Sequence, residues 1–346
     1  MAGSLLQLGP GPSAAWRKEV GVSSSCADFL WNGLDHGSRM VYTTARSSWE
    51  YFCINTGVKP YPAQERPLGE WIAARANGAA IALGNGPLKA TTIETYLSHI
   101  RSVHVDLRLN TEVFSSSFLK RIIKGVRRCQ PTTVKQTGAL TALQVQKMTV
   151  PSSSASDIDN VNLNAAAKVA FSGFLRSGEF TYSKADLGRD SFQSTNLTRA
   201  DVTFANDDKY AILRLKRSKT DHQHRGVDIH LASSKGPLCP VVALRKLFTD
   251  DPQPPSSPLF RMEKKIFSRT ALISSINQRL HTGASFSGHS FRRGAAQHAK
   301  DNGICDDDIQ SLGRWSSEAF RLYFNTSQKQ RFALSYRFQT HTAPPI

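Results

Sequence analysis

The chain has 346 residues, enough for two domains that each bury a core, and its 40% hydrophobic and 21% charged content is ordinary for a soluble globular protein. No apolar run approaches the ~18 residues of a membrane span, so a membrane partner is not expected. The outlier is a formal net charge of +17, shared by both halves, and the usual cause of such an excess is a polyanionic partner, nucleic acid first.

Five cysteines, Cys26, Cys53, Cys129, Cys239 and Cys305, are odd in number, far apart and never in a C-x-x-C arrangement. That disfavours both a disulfide framework and a structural zinc site, and points to a reducing compartment. Residues 1–35 lack a sustained apolar core, do not read as a secretory signal, and are expected to form a flexible arm. Residues 36–128 read as an all-helical domain, with apolar residues at three- and four-residue spacing over Arg39 to Ile54, Leu68 to Ala76, Thr91 to Leu107 and Ser116 to Val126. The last of these carries Lys120, Arg121, Lys124, Arg127 and Arg128, which suit either a solvated face or phosphate contact. The polar, Pro/Gly-punctuated run 129–138 is expected to be a linker.

Residues 139–326 alternate helix and strand signals. Thr141 to Met148 and Asn160 to Phe174 look helical, whereas Asp201 to Phe204, Tyr210 to Leu215 and Gly226 to Leu231 read as short strands, predicting a small antiparallel sheet among helices. The hairpin beginning at Tyr210 is dense in cations, including Arg214, Lys216, Arg217 and Lys219, as suits a nucleic-acid backbone. Asp250 to Pro258 is too proline-rich for either element and should be a surface loop. Further on, His289 and Arg292 lie at i and i+3 and share a helix face, with Arg293 beside them and the small residues Gly294, Ala295, Ala296 and Ala299 behind. Asp306, Asp307 and Asp308 suit a helix N-terminus without any metal ion. Ser316 and Ser317 can cap the segment bearing Phe320 and Tyr323. In the tail, 327–346, Phe332 to Phe338 alternates with period two, which reads as a strand pairing in cis or with a neighbouring protomer; it contains Tyr336, a rival phenol.

Taken together, Arg176 with Glu179, Lys219 in Arg217-Ser218-Lys219-Thr220, His289-Ser290-Phe291-Arg292, Gly313-Arg314-Trp315 and Tyr323 stand in the chain order of the tyrosine recombinase (integrase) family, which the chain resembles over about residues 139–326. The phrases HSFRRGAA and IQSLGRWSSEAFRLYF are most similar to recombinases of Crypton- and DIRS-type mobile elements. The resemblance implies a mainly α protein with a small antiparallel sheet, in which a helical core-binding domain and an α+β catalytic domain form a clamp around double-stranded DNA. It implies that Tyr323 attacks a phosphodiester to give a 3′-phosphotyrosyl enzyme and a free 5′-hydroxyl, and that Arg176 and Arg292 clamp the phosphate. Lys219 would protonate the leaving oxygen, His289 would take the tyrosine proton or bond the phosphate, and Glu179 would support the site. No metal or other cofactor is implied; a tetrameric synapse is, and nuclear localisation if the source is eukaryotic. The family usually has His or Trp directly after the glycine, where this chain has Arg314, so either Arg314 or Trp315 makes the third phosphate contact. A type IB topoisomerase, or a domesticated DNA-binding protein without catalysis, is the alternative.

Overall fold

The computed structural model describes residues 11–83, 86–130, 138–218, 221, 225–281 and 285–324. The chain divides into two compact units, Met1–Val134 and Lys135–Ile346.

The first unit is helical: α1 (Ala14–Val20), α2 (Ser24–Asn32), α3 (His36–Thr56), α4 (Glu65–Asn77), α5 (Ala90–Asp106) and α6 (Ser117–Cys129). Side-chain oxygens of Ser13, Ser23, Asp35 and Ser116 accept backbone N–H groups at the starts of α1, α2, α3 and α6, supplying partners that helix ends otherwise lack. The core holds Trp49 and Trp71 edge to face at 6.3 Å, with Leu68, Ile72, Ile93 and Ile100 fully buried. Helix α6 turns Leu119 and Ile123 inward and leaves Lys120, Arg121, Lys124, Arg127 and Arg128 exposed.

Residues 14–32 are not the flexible arm that composition suggests, because they form α1 and α2. Trp16, Val20 and Ala27 bury a small core, and the Arg39 guanidinium lies 4.5 Å from the Trp31 ring centroid and 5.5 Å from that of Trp16. Arg39 also donates to the carbonyls of Leu30 and Trp31 and pairs with buried Asp106 at 3.2 Å, tying α2 to α3 and α5. Sequence periodicity misses this because helices of seven and nine residues show too few turns, and the tie is a single arginine.

The second unit runs α7 (Ala142–Met148), α8 (Asp157–Ser172), α9 (Ser177–Phe180), α10 (Lys184–Leu187), α11 (Phe192–Thr195), β1 (Val202–Phe204), β2 (Tyr210–Leu215), β3 (Val227–Ala232), α12 (Pro240–Asp250), α13 (Arg269–Leu280), α14 (Ser290–Asp301) and α15 (Asp306–Gly313), then a 3-10 helix at Glu318–Tyr323. The strands form an antiparallel sheet in the order β1-β2-β3, with Leu213 opposite both Val202 and Ile229. Strand β1 starts one residue later than expected because Asp201 turns back to accept from Thr198. Helix α8 is the central element: Ala165, Ala166, Ala167, Val169 and Ala170 are buried, and their small side chains admit α12 and α14. The expected fold class, mainly helical with a small antiparallel sheet, is the one observed.

Candidate active site

Helix α8 ends at Ser172, and two residues later Phe174 takes a left-handed backbone conformation (φ 50) that turns the chain into Arg176, the N-cap of α9. One carboxylate organises this turn. Glu179 accepts the Arg176 backbone N–H at 2.9 Å with Oε2 and the Arg176 guanidinium at 2.8 Å with Oε1. With 5% of its side chain exposed, Glu179 is nearly sealed, so its charge acts through little water.

Helix α14 supplies the second arginine. It packs so closely that a Cβ on Gly294 would stand 1.8 Å from the Leu140 carbonyl oxygen, which is why a residue without one sits there. Arg292 is 0% exposed; its Nη1 donates to the Phe174 carbonyl at 2.7 Å and its Nη2 to the Gly313 carbonyl. The Trp315 ring covers it, with 4.1 Å between the guanidinium carbon and the ring centroid. Arg314, left-handed at φ 56, caps α15 and returns toward Glu179, reaching Oε2 at 3.4 Å and the Gly173 carbonyl at 2.9 Å. Gly313 is required by the same fold-back, since a Cβ there would overlap the Trp315 ring at 1.6 Å.

Two guanidiniums, those of Arg176 and Arg314, thus pair with one carboxylate, and the charge of Arg292 is close enough to interact with all three. The Arg292 guanidinium is pushed down to about 9, by burial first and then by Arg176 and Arg314, with Glu179 and Tyr323 opposing. Burial also lowers Arg314, which Glu179 partly offsets. A buried excess of positive charge is costly until an anion enters, and a planar guanidinium binds a phosphate through two parallel N–H groups.

Tyr323 ends the 3-10 helix, half-buried, its ring 6.0 Å from that of Trp315. Trp315 also meets Phe320 and Phe174, so the indole is the wall between the arginine site and the tyrosine segment. Of the two residues after Gly313, Trp315 meets Tyr323, whereas Arg314 is held by Glu179 and backbone carbonyls. Arg293 places its guanidinium carbon 5.6 Å from the Tyr323 ring centroid. Asp306 accepts from Lys300 and pairs with Arg321 at 3.5 Å, linking the tyrosine segment to α14 and α15.

The other expected site residues are distributed differently. His289 is the exposed N-cap of α14, its backbone N–H donating to Ser287 Oγ at 3.3 Å. Lys219, Tyr336 and the tail strand lie outside the described residues. Lys216 is drawn to Asp201 at 2.7 Å and to the Gln193 carbonyl, and Arg217 is half-buried. On α6, Arg127 pairs with Glu94. Sequence reasoning missed the carbonyls of Phe174, Gly313 and Gly173 that anchor the guanidiniums, because a backbone acceptor carries no residue-type signal. Among the described residues no His/Cys/Asp/Glu cluster suited to a metal occurs, and no helix is long and apolar enough to cross a membrane.

By sequence, the chain matches no family model and no curated protein. By fold it is similar to solved structures. XerH site-specific recombinase bound to a palindromic difH substrate in a post-cleavage complex shares 14% identity at TM-score 0.52, covering 84% of this chain and 76% of that one. A lambda integrase dimer bound to a COC′ core site shares 15% at 0.51, covering 96% and 79%. Lambda integrase residues 75–356 bound to DNA share 16% at 0.50, covering 91% and 94%. The chain has the tyrosine recombinase fold.

Proposed function

We propose that this protein breaks and rejoins strands of double-stranded DNA through a covalent tyrosyl intermediate, as a site-specific recombinase of a mobile element. The observation that carries the reading is the pairing of Arg176 and Arg314 with the single carboxylate of Glu179 beside the fully buried Arg292, with the Tyr323 ring against the Trp315 wall. A phosphodiester supplies the missing anion. Arg176 and Arg292 bind its non-bridging oxygens, where charge gathers in the transition state, and Arg314 acts through Glu179. Arg292 then exchanges neutral carbonyl acceptors for an anion, which offsets its buried charge. Tyr323 Oη bonds to phosphorus as the bond to the 5′-oxygen breaks; Lys219 protonates that oxygen, and His289 receives the tyrosine proton or bonds the phosphate. The bond energy stays in the phosphotyrosyl link, so rejoining needs no nucleotide cofactor. The exposed cations of α6 contact DNA phosphates, and exchange between two duplexes calls for four protomers.

The test is a duplex nicked beside the cleavage point, incubated without metal. The expected product is a protein–DNA adduct that survives denaturation and is absent with Tyr323→Phe. Salt-sensitive retention without an adduct identifies a DNA-binding protein that has lost catalysis, and relaxation of supercoiled DNA without exchange identifies a topoisomerase-like activity.

A further inference from the structure

We infer that Arg293 is a positioning residue for the Tyr323 nucleophile, an inference that rests on the strand-breaking reading above. Arg292 and Arg293 are adjacent on α14, so their side chains leave the helix about 100° apart. Arg292 passes beneath Trp315, and Arg293 instead reaches the Tyr323 ring. From sequence Arg292 reads as a clamp on the reacting phosphate and Arg293 as a DNA contact; in the structure Arg293 turns to the tyrosine ring. Arg293 is half-buried, and a partly desolvated guanidinium is attracted to the face of an aromatic ring more strongly than one in open water.

The tyrosine needs such a hold. Its segment is a 3-10 helix of six residues, an element with poorer hydrogen-bond geometry than an α-helix, and Leu322 beside it is 82% exposed. Phe320 is its one fully buried anchor. In-line attack needs the phenol oxygen about 3–3.5 Å from phosphorus, and a displacement of about 1 Å costs roughly a hundredfold in rate. Arg293 makes and breaks no bond in the step and moves no proton; with Trp315 it fixes the ring.

The experiment uses the full chain, with the nicked duplex at saturation, and measures the single-turnover rate of adduct formation together with DNA affinity and its salt dependence. Arg293→Met keeps the aliphatic bulk and removes the charge; it is expected to slow the adduct by about tenfold with affinity and salt slope unchanged. Arg293→Lys is expected to recover most of the rate. Arg293→Gln, also uncharged, is expected to follow Met and replaces it if Met lowers the melting temperature. An uncharged variant as fast as wild type overturns the inference. So does a loss of affinity with a salt slope smaller by about one, which makes Arg293 a phosphate contact. If wild type forms no adduct, the strand-breaking reading itself falls, and the inference with it.

Discussion

Among the described residues of the second unit, arginines are buried around Asp251 and around Glu179, and the two clusters are built differently. Around Asp251, Arg199 donates at 3.1 Å, Arg261 donates through Nε and Nη2, and Asn162 adds a bond at 2.8 Å, so the carboxylate is saturated and each guanidinium has it as partner. Around Glu179 the carboxylate serves Arg176 and Arg314, while Arg292, fully buried, lies under Trp315 and among the described residues donates to carbonyls. In the first cluster both guanidiniums share that one carboxylate. In the second, the most deeply buried guanidinium has no carboxylate partner among the described residues. Buried charge by itself therefore does not mark a site; what sets the second cluster apart is Tyr323 beside it and an arginine without a carboxylate.

This contrast can be broken by substitution. Asp251→Ala strands Arg199 in the core and should cost about 3–5 kcal/mol in urea or thermal unfolding, with adduct formation per folded molecule unchanged. Lost cleavage in the folded variant would erase the distinction. Arg292→Ala should show the reverse, a fall of about 10²–10³ in adduct rate and a smaller effect on unfolding. Glu179→Gln frees two guanidiniums from one anion and should cost about 1–3 kcal/mol of stability, with adduct formation slowed further by misorientation of Arg176.

Acid unfolding sharpens the same point. Burial alone pushes Asp251 up, but hydrogen bonds from Arg261 and Asn162 outweigh it and hold the carboxyl below its ordinary value. A depressed folded value means stability that is present above about pH 4 and lost as pH falls through that folded value. Asp251→Asn should remove this acid-sensitive component, measured by circular dichroism along a pH titration. The smallest effect belongs to the other unit: Lys124→Ala or Arg128→Ala on α6 should each lower the salt slope of DNA binding by about one, without preference among sequences.

Much of the fold was legible because long helices repeat their apolar residues often enough to be read, as in α3, α5 and α8, and because β2 keeps its two-residue alternation. The short α1 and α2 were not, since Arg39 holds them through distant aromatic rings. Within the candidate site, Arg176, Glu179, Arg292 and Tyr323 were singled out by residue type and order, and the structure brings Arg176 and Glu179 into contact and sets Arg292 and Tyr323 on either side of Trp315. The directions of Arg293 and Arg314 were not legible, because they depend on helix phase and on one left-handed residue.

That residue carries a consequence for engineering. Arg314 holds a backbone conformation that glycine adopts freely and that costs a residue with a Cβ roughly 1–2 kcal/mol. Glycine at this place would relax the backbone but give up the ion pair with Glu179. Selection for thermal robustness and selection for turnover therefore pull this position in opposite directions. A library randomised at residue 314 and sorted separately for each would diverge there, with glycine or asparagine favoured by the first sort and arginine by the second.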